Sequence, residues 1–226
     1  MEIIMRLLIH VLTIALFYQY MFAEMIEYDN NMERKELFYA CLEEDQESCK
    51  VLITDGLPSE DECNPKTSCI AIGHVYTIAK DYKHALAYYQ KSCNARIPQA
   101  CFELALSYEK LGQYEDSQYE YERSCRLDFM PSCYNLAMMF VNGVGVPQDI
   151  KKANRLFMEA CANDEFQSCY NLGISYRDGS GVKPNRLKAK ELFKKSCDLG
   201  MNDGCKAFKL LDSANFNLTI PDHLNK

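Results

Sequence analysis

Twelve of the 226 residues are cysteine. Thiols offer three chemistries: disulfide bonding, metal ligation and nucleophilic attack. The twelve fall into six neighbouring pairs: Cys41 and Cys49, Cys63 and Cys69, Cys93 and Cys101, Cys125 and Cys133, Cys161 and Cys169, Cys197 and Cys205. Five have the spacing C-x7-C, and Cys63 with Cys69 is C-x5-C. Zinc sites draw on C-x2–4-C pairs whose ligands converge, and six evenly spread pairs do not converge. Pairing of neighbours leaves no thiol over as a nucleophile. Structural disulfides are the expectation, with no metal and no cofactor.

Other residues with catalytic potential are sparse. A serine nucleophile activated by a lysine needs Ser-x-x-Lys on a helix. Two such strings occur, Ser107-Tyr-Glu-Lys110 and Ser180-Gly-Val-Lys183. Composition alone produces about one, so the strings carry little weight. Ser107 and Lys110 are the weak catalytic candidates, because Ser180 falls in a glycine turn explained by backbone geometry. His74, His84 and His223 are isolated, and Glu60-Asp-Glu62 reads as a solvated charge run.

The cysteine spacing also constrains the elements around it. Eight residues along one helix separate two Cα atoms by about 12 Å, whereas a disulfide needs roughly 4.4–6.8 Å. A bonded pair therefore requires a chain reversal, with one cysteine closing a helix and the other inside the next. The pairs recur from Cys93 to Cys125, Cys161 and Cys197 at intervals of 32, 36 and 36 residues, the period of a helical repeat array. Ser132-Cys-Tyr-Asn-Leu136 and Gly143-Val-Gly-Val146 return as Ser168-Cys-Tyr-Asn-Leu172 and Gly179-Ser-Gly-Val182. Each unit reads as two helices. In the unit at Cys161 the first has a buried stripe of Phe166, Cys169, Leu172, Gly173 and Tyr176. Gly179 to Gly181 ends it. Pro184-Asn185 opens the second, whose face is read as Leu187, Ala189, Leu192 and Phe193. The spacing leaves open whether Cys41 and Cys49 belong to a full repeat or to a cap.

Residues 1–23 read as a secretory signal, with Arg6 ahead of an apolar run from Leu7 to Phe17 and small Ala23 before the cut. That run is short for a bilayer span, and no second one follows, so no stable membrane span is expected after cleavage. The destination is secreted or periplasmic, in agreement with the cysteines. The net charge of −7 argues against a nucleic-acid partner. Residues 24–62 hold 13 acidic and 3 basic side chains, against 18 and 21 over 63–226. The expected domains are the signal (1–23), an acidic segment or cap with one cysteine pair (24–62), a repeat solenoid (63–212) and a tail (213–226).

The run from Tyr170 to Cys197, Tyr-Asn-Leu-Gly-x-x-Tyr-x-x-Gly-x-Gly-Val-x-x-Asn-x-x-Lys-Ala-x-x-x-Phe-x-Lys-x-Cys, resembles a Sel1-like repeat. Together with C-x7-C and the signal, the chain resembles the Helicobacter cysteine-rich proteins. The resemblance implies an all-α fold, an α/α superhelix (solenoid) of Sel1-like or TPR-like helix pairs, each stapled by a disulfide, with a concave groove. It implies a scaffold for protein or peptide partners. It also carries an alternative attribution: penicillin binding with weak β-lactamase activity, whose ligand would be a β-lactam or a peptidoglycan fragment. For groove binding the candidates are Asn135 and Asn171, at the same position of their helices, with Tyr134, Tyr170 and Arg177 beside them. A side-chain amide offers donor and acceptor to a partner backbone. The competing role for both asparagines is to bridge neighbouring repeats.

Overall fold

A computed structural model describes residues 32–43 and 45–216. The signal (1–23) and most of the tail, with His223, lie outside the described residues. Among these residues the chain is helical throughout: α1 (Met32–Leu42), α2 (Gln46–Thr54), α3 (Ser68–Ile78), α4 (Tyr82–Asn94), α5 (Pro98–Lys110), α6 (Tyr114–Cys125), α7 (Met130–Asn142), α8 (Ile150–Ala162), α9 (Phe166–Asp178), α10 (Arg186–Asp198) and α11 (Asn202–Phe216). The chain forms two compact units that divide between Glu120 and Tyr121, within α6.

All six cysteine pairs are bonded as neighbours, with Cα–Cα distances of 4.5–5.1 Å. Cys41 bonds Cys49, Cys63 bonds Cys69 and Cys93 bonds Cys101. Cys125 bonds Cys133, Cys161 bonds Cys169 and Cys197 bonds Cys205. Burial differs between the two ends of the chain. Cys41 and Cys49 are fully buried, whereas Cys197 and Cys205 are only half-buried.

Five of the bonds share one junction. A helix, called B below, ends at or one residue past the first cysteine, and the next helix, called A, carries the second. The third residue after the first cysteine turns left-handed at Arg96 (φ 62°), Asp128 (63°), Asp164 (65°) and Gly200 (104°). One residue later, the N–H of Ile97, Phe129, Glu165 or Met201 donates to the carbonyl of Ser92, Ser124, Ala160 or Ser196, five residues back. That is the 6→1 bond of a helix C-terminal cap. Asp45 N–H donates likewise to the Ala40 carbonyl at 3.1 Å. The junction closed by Cys41 and Cys49 thus shares the cap bond of the later four.

In the first unit, α1 is a B helix and α2 an A helix by this pattern. The B helix that should follow α2 is missing: residues 55–67 connect α2 directly to α3, another A helix, and Cys63 lies in that connection. This is why the pair before Cys93 is out of step. The connection fills the gap itself. Leu57 and Cys63 pack against Cys69, Ile72 and Tyr88. The Tyr88 hydroxyl donates to the Pro58 carbonyl (2.9 Å), and Lys91 Nζ donates to the Asp61 carbonyl (3.0 Å). The A-to-B connections from α3 to α4 and from α5 to α6 take three residues each, with Lys80 (φ 63°) and Gly112 (φ 74°) left-handed.

In the second unit the A-to-B connections, Gly143–Asp149 and Gly179–Asn185, take seven residues. The four additional residues are the difference between a period of 32 and one of 36. Gly179 (φ 75°) closes α9, and Asn185 accepts from Lys188 N–H at 3.0 Å to open α10. The loop of one repeat is held by the B helix of the one before it. Asn154 Nδ2 on α8 donates to the Ser180 carbonyl at 2.7 Å, and a Cβ on Gly181 would stand 2.9 Å from Ile150 Cγ2.

Two residues expected in the buried faces lie outside them. Leu187 is 70% exposed and Phe166 41% exposed. Leu187 precedes Ala189 by two residues, about 200° around the helix, so the two cannot share a face. Phe166 has the right phase but is the first residue of α9. The other positions hold: Cys169, Leu172, Gly173, Ala189 and Phe193 are buried, while Tyr176 and Leu192 are partly so.

Candidate functional site

Packing inside the repeats determines which side chains are left for a partner. Four residues before the first cysteine of a junction, the B helices α4, α6, α8 and α10 carry an aromatic, Tyr89, Tyr121, Phe157 and Phe193, all at most 1% exposed, whereas α1 carries Leu37. Four residues after the second cysteine, the A helices followed by a B helix carry a small residue: Gly73, Ala105, Ala137 and Gly173. Where the small residue is glycine, the two positions meet within one unit. A Cβ on Gly73 would stand 2.6 Å from Tyr89 Cε1, and one on Gly173 would stand 2.7 Å from Phe193 Cε1. In α2 and α11, the A helices with no B helix described after them, the same position holds Ile53 and Lys209. These are the fourth residues after Cys49 and Cys205. Sequence reasoning missed this aromatic-and-notch rule, although counting from the cysteines displays it.

Tyr134, Asn135, Tyr170 and Asn171 occupy the first and second positions after the second cysteine of α7 and α9. All four are half-buried. The Tyr134 ring packs 6.0 Å from Phe157 and the Tyr170 ring 5.6 Å from Phe193. Asn135 Nδ2 donates to the Tyr121 hydroxyl at 3.1 Å. Asn171 acts on the Tyr134 hydroxyl, lowering its titration. Asn135 thus joins α7 to α6, and its amide is oriented by that bond. Burial holds the Tyr134 phenol above its usual value, with the Glu165 carboxylate adding to this and the Asn171 amide opposing it. Arg177, two helical turns beyond Tyr170, forms two bonds to Asp178, Nε to Oδ1 at 2.6 Å and Nη2 to Oδ2 at 2.8 Å. Its guanidinium senses the Tyr170 phenol. The structure therefore brings Tyr134, Asn171, Tyr170 and Arg177 along adjoining faces of α7 and α9, with Asn135 held at Tyr121.

The weak catalytic candidates sit in a different setting. Ser107 is 2% exposed, and its hydroxyl donates to the Glu103 carbonyl at 2.9 Å. Lys110 is exposed at the last residue of α5. Ser180 is exposed in its loop and contributes its carbonyl to Asn154. Asp81 caps α4, its carboxylate accepting from the His84 N–H and lying 2.6 Å from His84 Nδ1, and His74 lies edge-on to Tyr89, its imidazole pulled down to about 4 by burial. Glu62 bonds Ser59 within the acidic run. Glu103, at the position of α5 that Asn135 and Asn171 hold in α7 and α9, is pushed up to about 7 by burial. Sequence reasoning passed over it. The signal was its place in the asparagine register.

A shallow cleft of about 460 Å³ is lined by Tyr176, Val182, Lys183, Pro184, Asn185 and Lys188. Lys188 lies 4.6 Å over the Tyr176 ring, and Lys152 repeats this 4.1 Å over Phe140. In α7 and α9 a lysine thus covers the aromatic of the last A-helix turns. Cys93, Cys101 and Glu120 bring three metal-ligating atoms within 4.8 Å, but the two sulfurs are bonded to each other.

Known proteins carry the same architecture. The Sel1 repeat model matches residues 131–165 and 167–201, the units with seven-residue loops. A tetratricopeptide repeat model matches 67–96 and 98–129, the units with three-residue loops. A protective antigen of uropathogenic Escherichia coli with an SLR fold is 19% identical over 75% of this chain, with a TM-score of 0.59. This chain spans about a third (36%) of that antigen's length. Helicobacter pylori cysteine rich protein B is 30% identical over 56% of this chain and 94% of its own, with a TM-score of 0.47. A Sel1 repeat protein from Oxalobacter formigenes is 21% identical over 58% of this chain and 96% of its own, with a TM-score of 0.49. No curated protein sequence matches the chain. The repeat matches, the paired helices and the cysteine junctions agree, and the chain belongs to the Sel1-repeat proteins.

Proposed function

We propose that the protein is a disulfide-stapled scaffold of the extracellular or periplasmic space that binds an extended segment of a protein partner on the A-helix faces of α7 and α9. One observation carries the reading. Asn135 is fixed by the Tyr121 hydroxyl, so its amide is oriented before any partner arrives, and Asn171 repeats its position on α9. An oriented amide can donate to and accept from a peptide backbone at little entropic cost. Repeats of the Sel1 and tetratricopeptide type serve generally as protein-interaction modules, which supports the same reading. Six disulfides suit an oxidising compartment, and among the described residues no helix is long and apolar enough to cross a membrane.

The test is capture of partners from periplasmic and culture-supernatant fractions by oxidised protein. Asn135→Ala with Asn171→Ala should abolish capture while the helical circular dichroism stays unchanged. Undiminished capture by the double variant rules the A-helix face out.

A further inference from the structure

The loops that open α8 and α10 are built alike. Asp149 and Asn185 each cap the helix that follows, accepting from the N–H of Lys152 (2.9 Å) and Lys188 (3.0 Å). Their own N–H groups donate to the carbonyls of Phe140 (3.0 Å) and Tyr176 (2.7 Å). Lys152 and Lys188 lie over those same two rings. Within this shared frame, three positions around the second loop change in one direction. Tyr176 stands for Phe140 and adds a hydroxyl. Lys183 stands for Pro147 and adds an ammonium. Asn185 stands for Asp149 and exchanges a carboxylate for an amide. Pro184 stands for Gln148, whose amide is spent on the Val141 carbonyl (2.8 Å).

These three residues, with Val182, Pro184 and Lys188, line the cleft of about 460 Å³, and among the described residues no acidic side chain lines it. The Tyr176 hydroxyl and the Lys183 ammonium have no partner among the described residues, and Lys188 Nζ has only the ring beneath it. Asn185 spends its oxygen on the helix cap, which leaves its Nδ2 group unbonded. We propose that this cleft is a carboxylate-binding site that seats an acidic side chain of a protein segment. It does not use the asparagine register of α7 and α9. Phenol, amide and ammonium groups all donate to a carboxylate, and bonds to a charged acceptor are the stronger ones. The other cations of α10 favour a short acidic segment over a long polyanion. Arg186 bonds the Leu211 carbonyl, and Lys190, Lys194 and Lys195 pair with Asp212, Asp198 and Asp164. On α10 and its loop the unpaired ammonium groups are thus confined to the cleft, whereas a polyanion is held by a row of them.

The experiment titrates the oxidised full chain, labelled with nitrogen-15, with a tetraglutamate peptide blocked at both ends. Saturable shifts should appear at the amides of Tyr176, Lys183, Asn185 and Lys188, and a blocked tetraglutamine should produce none. Tyr176→Phe and Asn185→Asp, combined with Lys183→Gln, give the cleft the donor set of the α7–α8 loop and should weaken binding at least about tenfold. Lys183→Gln alone, in an exposed loop position, should weaken it at least about threefold. Lys151→Gln makes the same charge change outside the cleft and should leave the affinity as it is. Undiminished binding by the triple variant or by Lys183→Gln overturns the proposal. An equal loss in Lys151→Gln means diffuse attraction and overturns it as well. Tighter binding of a heparin tetrasaccharide at the same amides overturns the assignment to a protein segment.

Discussion

Gly173 shows how closely one residue can be tied to the fold. It has no side chain because the Phe193 ring occupies that space. Gly173→Ala should lower stability by about 1–3 kcal/mol through overpacking, read as a lower urea midpoint with an unchanged m-value. Ser107→Ala should leave any nitrocefin turnover by the purified protein as it is, because the buried hydroxyl bonds the helix backbone. Glu103 gives a pH dependence. Its folded value of about 7 lies above the ordinary value of 4.5, so its contribution is fully present below about 4.5 and is lost as pH rises through about 7. His74, pulled down to about 4, acts with the opposite sign, losing stability as pH falls from about 6.5. The contribution of Glu103 is therefore read as the difference between the wild type and Glu103→Gln. Between pH 4.5 and pH 7.5 the wild type should lose up to about 3 kcal/mol relative to the variant. At this scale legibility is uneven. Glycine and cysteine positions are legible in the sequence because each enforces one geometry. Apolar character taken without helical phase puts Leu187 on the wrong face. The Asn135–Tyr121 bond is beyond reach because it joins residues 14 positions apart, through packing that no local pattern encodes.

The recurring element is the B-to-A junction: a capped helix end, one left-handed residue and a disulfide. Cys161→Ala with Cys169→Ala should cost about 2–3 kcal/mol by loop closure, measured as the shift in urea midpoint of the oxidised protein. A junction that retained full stability without its bond would mean that the cap alone fixes the turn. The helix pairs and their connections can be read from the periods, because three-residue and seven-residue loops differ by the four residues that separate 32 from 36. The cysteine count does not show that the segment 55–67 replaces a whole helix. The C-x5-C spacing marks the irregularity, but only the packing of Leu57 and Cys63 shows how the gap is filled. Ile53 in α2 is the local hint, since it stands where a notch for a B-helix aromatic would be.

Over the whole molecule, small helical units depend on covalent closure. Six short loops at about 2–3 kcal/mol each are comparable with the full stability of an ordinary domain. Full reduction should therefore unfold the described helices near 37 °C, with the far-ultraviolet helical signal collapsing. The acidity of residues 24–62 and the near balance over 63–226 are visible in composition, and the fold class is legible from the same twelve residues that organise it. The partner-binding face is legible only as a register of asparagines. The central claim is that each junction is closed by its own neighbouring cysteines, and non-reducing peptide mapping by mass spectrometry tests it directly. The predicted map joins Cys41 to Cys49, Cys63 to Cys69, Cys93 to Cys101, Cys125 to Cys133, Cys161 to Cys169 and Cys197 to Cys205, with no free thiol. A bond joining cysteines of two different junctions in the folded protein, or a pair found as free thiols, would contradict it.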